Sequence, residues 1–264
     1  MPLFSRYRTA SWLLPLFIFI LTAAGGVLAQ ENPQSLFNEG NYHMEQQRYV
    51  DAVQKYREVL ALGYESGPLY LNLGISYTHL DSLGLAKYNY LKAKGYRQSR
   101  DVAVTGLQHI DMLLSQVRPN LPVLPVAEFY DHLYFQTGSK PFFLLSILMV
   151  NLAAAALIIT WYSSRFSGWL RTISVLLLLV SLASLATGFF VDSQASRYAR
   201  AVLVHNDSVV REQPYIDAPV VASAHIGYTF TIDTHTGRNE ENWLYVRLSN
   251  GLEGWVPAVG ILKL

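Results

Sequence analysis

The chain has 264 residues, of which 51% are hydrophobic and 15% charged, with a formal net charge of +1. So low a charged fraction, against roughly 25% in soluble domains, excludes a single soluble globule. The absence of cysteine excludes disulfides, thiol nucleophiles, cysteine-ligated zinc and iron–sulfur clusters. Residues 31–118 carry nine basic and nine acidic side chains, and residues 200–264 carry five and seven. Neither segment has the cationic excess that a phosphate backbone demands, so nucleic acid is not an expected partner.

Residues 1–29 have the layout of an export signal. Arg6 and Arg8 precede an apolar core from Trp12 to Ala24, and Val27-Leu28-Ala29 resembles a cleavage site. The segment is a signal peptide or an uncleaved anchor. Either reading keeps the basic end in the cytoplasm and exports the chain from residue 30 onward.

Residues 33–118 read as helical and repetitive. Between 33 and 100 the period is 34 residues: Leu36 aligns with Tyr70, Asn38 with Asn72, Gly40 with Gly74, Ala52 with Ala86 and Tyr56 with Tyr90. Glycine and alanine at these positions let two helices approach closely, and the tyrosines are expected to fill the space between repeats. The pattern resembles the tetratricopeptide repeat, although Tyr64 and Gln98 stand where that family closes each copy with proline. Val104, Leu107, Ile110, Leu113 and Leu114 give a third amphipathic stretch, a divergent repeat or a cap, in which Gln108 takes the repeat glycine's place. The resemblance implies an all-α superhelix. Its inner face would be lined by Phe37, Asn41, Met44 and Glu45, then by Leu71, Ile75, Thr78 and His79. That face is a groove for a peptide or partner helix, or a surface partly covered by the third helix.

Residues 119–140 form a proline-rich and then aromatic linker. Phe129, Tyr130, Tyr134 and Phe135 suit a short helix in a membrane interface or an extended linker with local packing. Residues 141–191 hold two apolar spans. Residues 142–162 and 172–191 contain no charge, and each is long enough for the roughly 30 Å of hydrocarbon. The loop 163–171 carries Arg165 and Arg171 and no acid, which places it in the cytoplasm. Asn151, inside the first span, is positioned to bond across to Ser181 or Ser184. No ionisable group lies in either span, so a plain anchor is expected rather than an ion pathway.

Residues 201–264 change to a period of two with frequent turn residues, which predicts five or six short strands in a small β-barrel. Ser208-Val209-Val210-Arg211, Gly227, the run Trp243 to Leu248, Asn250-Gly251 and Gly254-Trp255-Val256 resemble a bacterial SH3-type domain. Asn250-Gly251 predicts a type I′ hairpin. Tyr215 and Trp243 are the candidate surface aromatics, whereas Trp255 is assigned to the core.

The chain has no Gly-rich phosphate loop, no G-x-S-x-G elbow and no H-E-x-x-H, and its seven histidines are scattered. No catalytic residue, metal site or cofactor is expected, and an enzymatic role is not. The order of signal, tetratricopeptide repeats, two spans and SH3-type barrel resembles the BatE-type proteins of the Bacteroides aerotolerance (Bat) family. The resemblance implies a multi-pass inner-membrane scaffold with both modules periplasmic. Its partners would be other Bat-family membrane proteins with von Willebrand factor A domains and a MoxR-type ATPase, in a complex linked to oxygen tolerance. The competing reading is an envelope sensor that binds peptidoglycan or peptide, but a cytoplasmic loop of about nine residues leaves little surface for signalling inward.

Overall fold

The computed structural model describes residues 32–119, 121–122, 124–125, 129–130, 132–162, 167–236, 240 and 242–264. The expected signal segment, 1–29, and residues 163–166 of the expected cytoplasmic loop lie outside them. The chain divides into two compact units at Glu65/Ser66, and each is described by itself.

The first unit holds α1 (Pro33–Glu45) and α2 (Tyr49–Ala61). Asn32 starts α1 by accepting a hydrogen bond from the Gln34 amide, with proline in the first turn, where its missing N–H costs nothing. Gly40 presents bare backbone to the ring of Tyr56, and Tyr56 is fully buried. This is the close approach expected from the glycine spacing. The ring packs against the glycine of its own hairpin.

The second unit begins with α3 (Gly67–His79), α4 (Leu83–Lys94) and α5 (Arg100–Val117). Tyr90 of α4 lies between Gly74 of α3, where a Cβ would stand 2.9 Å from the ring, and Gly106 of α5. Gly106, two residues before Gln108, thus supplies the space that the strict period misses. Lys87 of α4 donates to Asp111 of α5 at 2.7 Å. Burial pulls the Lys87 ammonium below its ordinary pKa, and Asp111 partly opposes that shift.

A six-residue π-helical turn (His132–Thr137) precedes two long helices, α6 (Lys140–Tyr162) and α7 (Ser167–Arg197). At 1.5 Å per residue they run for about 34 and 46 Å, and both are long and apolar enough to cross a membrane. In their most apolar stretches only 17% and 22% of residues are buried inside the protein, unlike the core helices of a soluble fold. Their contact seam is rich in small and polar residues: Ser146, Ala153 and Ala156 of α6 and Ser174, Ser181 and Ser184 of α7 are buried, and Gly188 receives the Phe143 ring, while most large aliphatics point outward. Positions 146 and 153 on α6, and 174, 181 and 188 on α7, repeat every seven residues, the period of a left-handed helix pair. The Ser181 hydroxyl bonds to both the hydroxyl and carbonyl of Ser146 at 3.0 Å. Ser174 donates to the Ala153 carbonyl and Ser184 to the Phe142 carbonyl. The cross-helix bond expected of Asn151 does not form: its amide donates to Ile147 of its own helix at 2.7 Å. The helix also starts earlier than expected, so residues 167–171 of the anticipated loop are its first turn.

Seven strands follow, rather than five or six: β1 (Tyr198–Leu203), β2 (Ser208–Arg211), β3 (Val220–Ala224), β4 (Thr229–Asp233), β5 (Trp243–Leu248), β6 (Glu253–Pro257) and β7 (Ile261–Lys263). They form one antiparallel sheet in the order β3-β2-β6-β5-β4-β1-β7. Residues from every strand, among them Leu203, Val210, Ala224, Phe230, Val246, Val256 and Ile261, meet in one apolar core, so the sheet curls around it. The β5–β6 hairpin is not type I′. Gly251 alone has positive φ (83°), its amide donates to Leu248 and Leu252 accepts from Leu248. This is a three-residue loop closed by a glycine bulge.

Helices and sheet touch directly within this unit. Gly84 of α4 lies on the backbone of Val204, where a Cβ would stand 2.7 Å from the carbonyl oxygen. The Arg118 guanidinium sits 4.5 Å over the Tyr228 ring, and the Tyr228 hydroxyl donates to Pro119 at 2.6 Å. Leu121 packs on the sheet core, and the Leu124 amide donates to Ser249. Pro119, Leu121 and Leu124, at the start of the expected linker, therefore lie along the sheet. Gly84→Val should lower stability by about 1–3 kcal/mol, because backbone cannot yield to the new side chain. Thermal unfolding with helicity followed by circular dichroism checks this; an unchanged midpoint would show that α4 does not rest on the sheet.

Candidate interaction surface

The eight helical candidates fall into two sets, one in each unit. In the first, Phe37, Asn41 and Met44 gather around one ring. The Tyr56 hydroxyl donates to Asn41 at 2.8 Å and approaches the Met44 sulfur at 3.9 Å, with the Phe37 and Tyr56 ring centres 5.8 Å apart. Glu45 is exposed. In the second, Leu71, Ile75 and Thr78 are half-buried on α3 and His79 is exposed. The Thr78 hydroxyl donates to the Gly74 carbonyl at 2.8 Å and lies 3.4 Å from the Tyr90 hydroxyl. Met44 and Thr78, one period apart, hold equivalent places against a tyrosine hydroxyl. Part of the expected groove lining thus supports the hairpin interior.

The two sheet candidates are not brought together. Tyr215 is half-exposed in the β2–β3 connection, and Trp243 opens β5 opposite Pro257. Among the described residues no ring contact joins them. The pleat assembles a different set. Val246, Leu248 and Val256 point into the core, so their neighbours Trp243, Tyr245 and Arg247 on β5, and Glu253 and Trp255 on β6, share the opposite face. Trp255, assigned to the core from the sequence, is half-buried on this outer face with its ring 5.3 Å from that of Tyr245. Strict alternation along Trp243-Leu244-Tyr245-Val246-Arg247-Leu248 carries the signal that a motif-based reading passes over.

The surface continues across β4 onto β1. Tyr198 lies between two guanidinium groups, Arg197 at 5.3 Å and Arg247 at 5.7 Å from its ring centre. Cations over aromatic faces are attracted by the ring quadrupole. The Tyr245 hydroxyl donates to Glu253 at 3.1 Å; burial, and then this carboxylate, push that hydroxyl above its ordinary pKa. A cleft of about 230 Å³ lies among Arg197, Tyr198, Asp233, Tyr245, Arg247 and Glu253. Of the four linker aromatics, Tyr134 is buried and Phe135 lies under the Arg200 guanidinium at 6.0 Å, whereas Phe129 and Tyr130 are exposed. Burial, with Tyr130 and Tyr198 nearby, raises the Tyr134 hydroxyl pKa, against Arg247. Phe135, through Arg200 of β1, extends the sheet's outer face.

The joint beneath this surface is short. Helix α7 ends at Arg197 and β1 begins at Tyr198. The Arg197 guanidinium binds both oxygens of Asp233, with Nη2 at 2.6 Å and Nε at 3.1 and 3.2 Å. The Thr234 amide and hydroxyl donate to the Arg197 carbonyl at 3.0 and 2.7 Å, satisfying a helix-end acceptor. Asp233 also accepts from the amides of His235 and Thr236 and from the Thr236 hydroxyl. Burial by itself would raise the Asp233 pKa; the bonds from Arg197 and the turn outweigh it and hold the carboxyl far below the ordinary range. Among the described residues no group of three or more His, Cys, Asp or Glu is placed to hold a metal ion. No protein-family model matches the chain, and no curated protein matches it.

A carboxyl with a depressed folded-state pKa stabilises the protein fully above its unfolded value, near 4, and loses that contribution as pH falls below it. Asp233→Ala should cost roughly 2–3 kcal/mol at pH 7 and flatten the acid limb of the stability–pH curve below about pH 4. Denaturant melts from pH 7 to pH 3 measure both; equal wild-type and variant slopes on acidification would remove Asp233 from the joint.

Proposed function

We propose that this chain is a non-catalytic, membrane-anchored scaffold. Its two-helix hairpin crosses the bacterial inner membrane, and tetratricopeptide-type helices and an SH3-type sheet present interaction surfaces on the periplasmic side. The carrying observation is the direct passage of α7 into a sheet whose outer face is aromatic and charged. That arrangement holds a binding surface at fixed height and orientation. A second observation supports a shared compartment: the Ser139 hydroxyl donates to Asp192 at 3.0 Å, so the helix ends leading to the two soluble parts lie side by side. Arg165, between the two helices, and Arg171, at the start of α7, favour a cytoplasmic turn.

The partners proposed are membrane proteins of the Bat family, and the setting is an envelope complex linked to oxygen tolerance. This rests on the order of the modules and on the repeat and barrel motifs quoted from the sequence. The aromatic–guanidinium face supplies the chemistry that partner recognition uses, since Trp, Tyr and Arg dominate interface energetics.

Two measurements test the proposal. The chain has no cysteine, so single cysteines introduced at Gln213 and Gly168 report sidedness without background. A membrane-impermeant maleimide applied to spheroplasts should label the first and spare the second; the reverse pattern refutes the topology. Crosslinked complexes purified in mild detergent should contain a von Willebrand factor A membrane protein, and Trp243→Ala/Tyr245→Ala should reduce it at least tenfold, as loss of about 1.4 kcal/mol would. Retention of the chain on isolated cell wall, with no membrane partner, would overturn the scaffold in favour of a peptidoglycan sensor.

A further inference from the structure

A cavity of about 820 Å³ lies where helices, sheet and hairpin meet. Lys94 at the end of α4 and Arg100 at the start of α5 line one side, Arg200 of β1 another, and His132 and Phe135 of the π-helical turn a third, with Ala195 of α7 at the base. Among the described residues no Asp or Glu side chain lines it. Among the described residues, none of Lys94, Arg100 and Arg200 has a carboxylate within salt-bridge distance. Converging like charges disfavour one another, and an anion in the cavity relieves that repulsion. The Arg200 guanidinium lies 6.0 Å from the Phe135 ring centre, within reach of the ring's attraction for a cation.

Its position selects the anion. Asp192 is the first charged residue after the apolar run of α7, and Ala195 lies three residues on, about 4.5 Å of helix rise. That is the depth of the headgroup layer, which adds roughly 5–8 Å to each side of the hydrocarbon. We propose that this cavity binds the phosphodiester headgroup of an anionic phospholipid, with Lys94, Arg100 and Arg200 around the phosphate and Phe135 beside the acyl–glycerol boundary. The site rests on the reading of α6 and α7 as membrane-spanning. Occupied, it ties α4, α5, the π-helical turn and β1 to the bilayer surface and braces the joint at Arg197.

The test uses the full chain in neutral detergent, titrated with phosphatidylglycerol or phosphatidylcholine and read by native mass spectrometry, with inorganic phosphate as a competing arm. Phosphatidylglycerol should be retained at least about tenfold more tightly than phosphatidylcholine. Each cation near a headgroup contributes about a factor of five, so Lys94→Gln/Arg100→Gln should weaken retention roughly 25-fold. The exposed single variant Arg100→Glu should weaken it too, even if the double variant unfolds. Lys263→Gln, an exposed cation outside the cavity, should leave retention unchanged. Equal retention of the two lipids, equal loss in Lys263→Gln, or displacement by phosphate at concentrations matching the lipid would overturn the proposal, the last marking a free-anion site. Carbonate extraction of native membranes is scored separately: release of the chain refutes the spanning reading, whereas lipid selectivity in detergent reports on the cavity alone.

Discussion

The passage from α7 into the sheet depends on the pairing of Arg197 with Asp233. A helix that runs into a strand with no residue between them must stop, turn and satisfy its last carbonyls at once. Here one guanidinium fork does the turning. It spans both Asp233 oxygens, while Thr234 returns two hydrogen bonds to the Arg197 carbonyl. The same arginine lies over Tyr198, and Tyr198 lies under Arg247. The junction with α7 and part of the sheet's outer face therefore share one cluster of side chains.

Two different packing rules meet at this joint. Above it, apolar side chains turn inward and aromatic and charged ones outward, as burial from water requires. Below it the order is largely inverted: serine, alanine and glycine occupy most of the α6–α7 seam, with the Phe143 ring on Gly188, and most leucine, isoleucine and valine side chains point away. If α6 and α7 span a membrane, as proposed, hiding leucine brings no gain. Close backbone approach and interhelical hydrogen bonds then become the attractive terms. The seven-residue recurrence of small residues keeps that seam continuous along the pair.

Much of this was legible in the sequence. The charge-free runs mark α6 and α7, and the 34-residue period marks the Gly40–Tyr56 and Gly74–Tyr90 contacts. Boundaries were not legible: a helix does not stop at the edge of an apolar run, so α7 takes in Arg171 and Asp192. Asn151 satisfies itself on the preceding turn of its own helix, a competition that spacing does not reveal. Trp255 looked like core because tryptophan is large and apolar, but strand parity places it outside beside Tyr245. The cavity joins Lys94 and Arg100 to Arg200, at least 100 positions further on, and has no local signature.

Rigidity of the passage from α7 into the sheet is the central claim, and a distance distribution tests it most directly. Spin labels on cysteines introduced at Val180, an outward position of α7, and at Glu212, exposed beyond β2, report the angle between helix and sheet in a lipid nanodisc. A single narrow distribution in the wild-type background, broadened by Asp233→Ala, is the predicted result. A broad wild-type distribution that Asp233→Ala leaves unchanged would contradict the account, because the sheet would then hang from the helix on a free hinge.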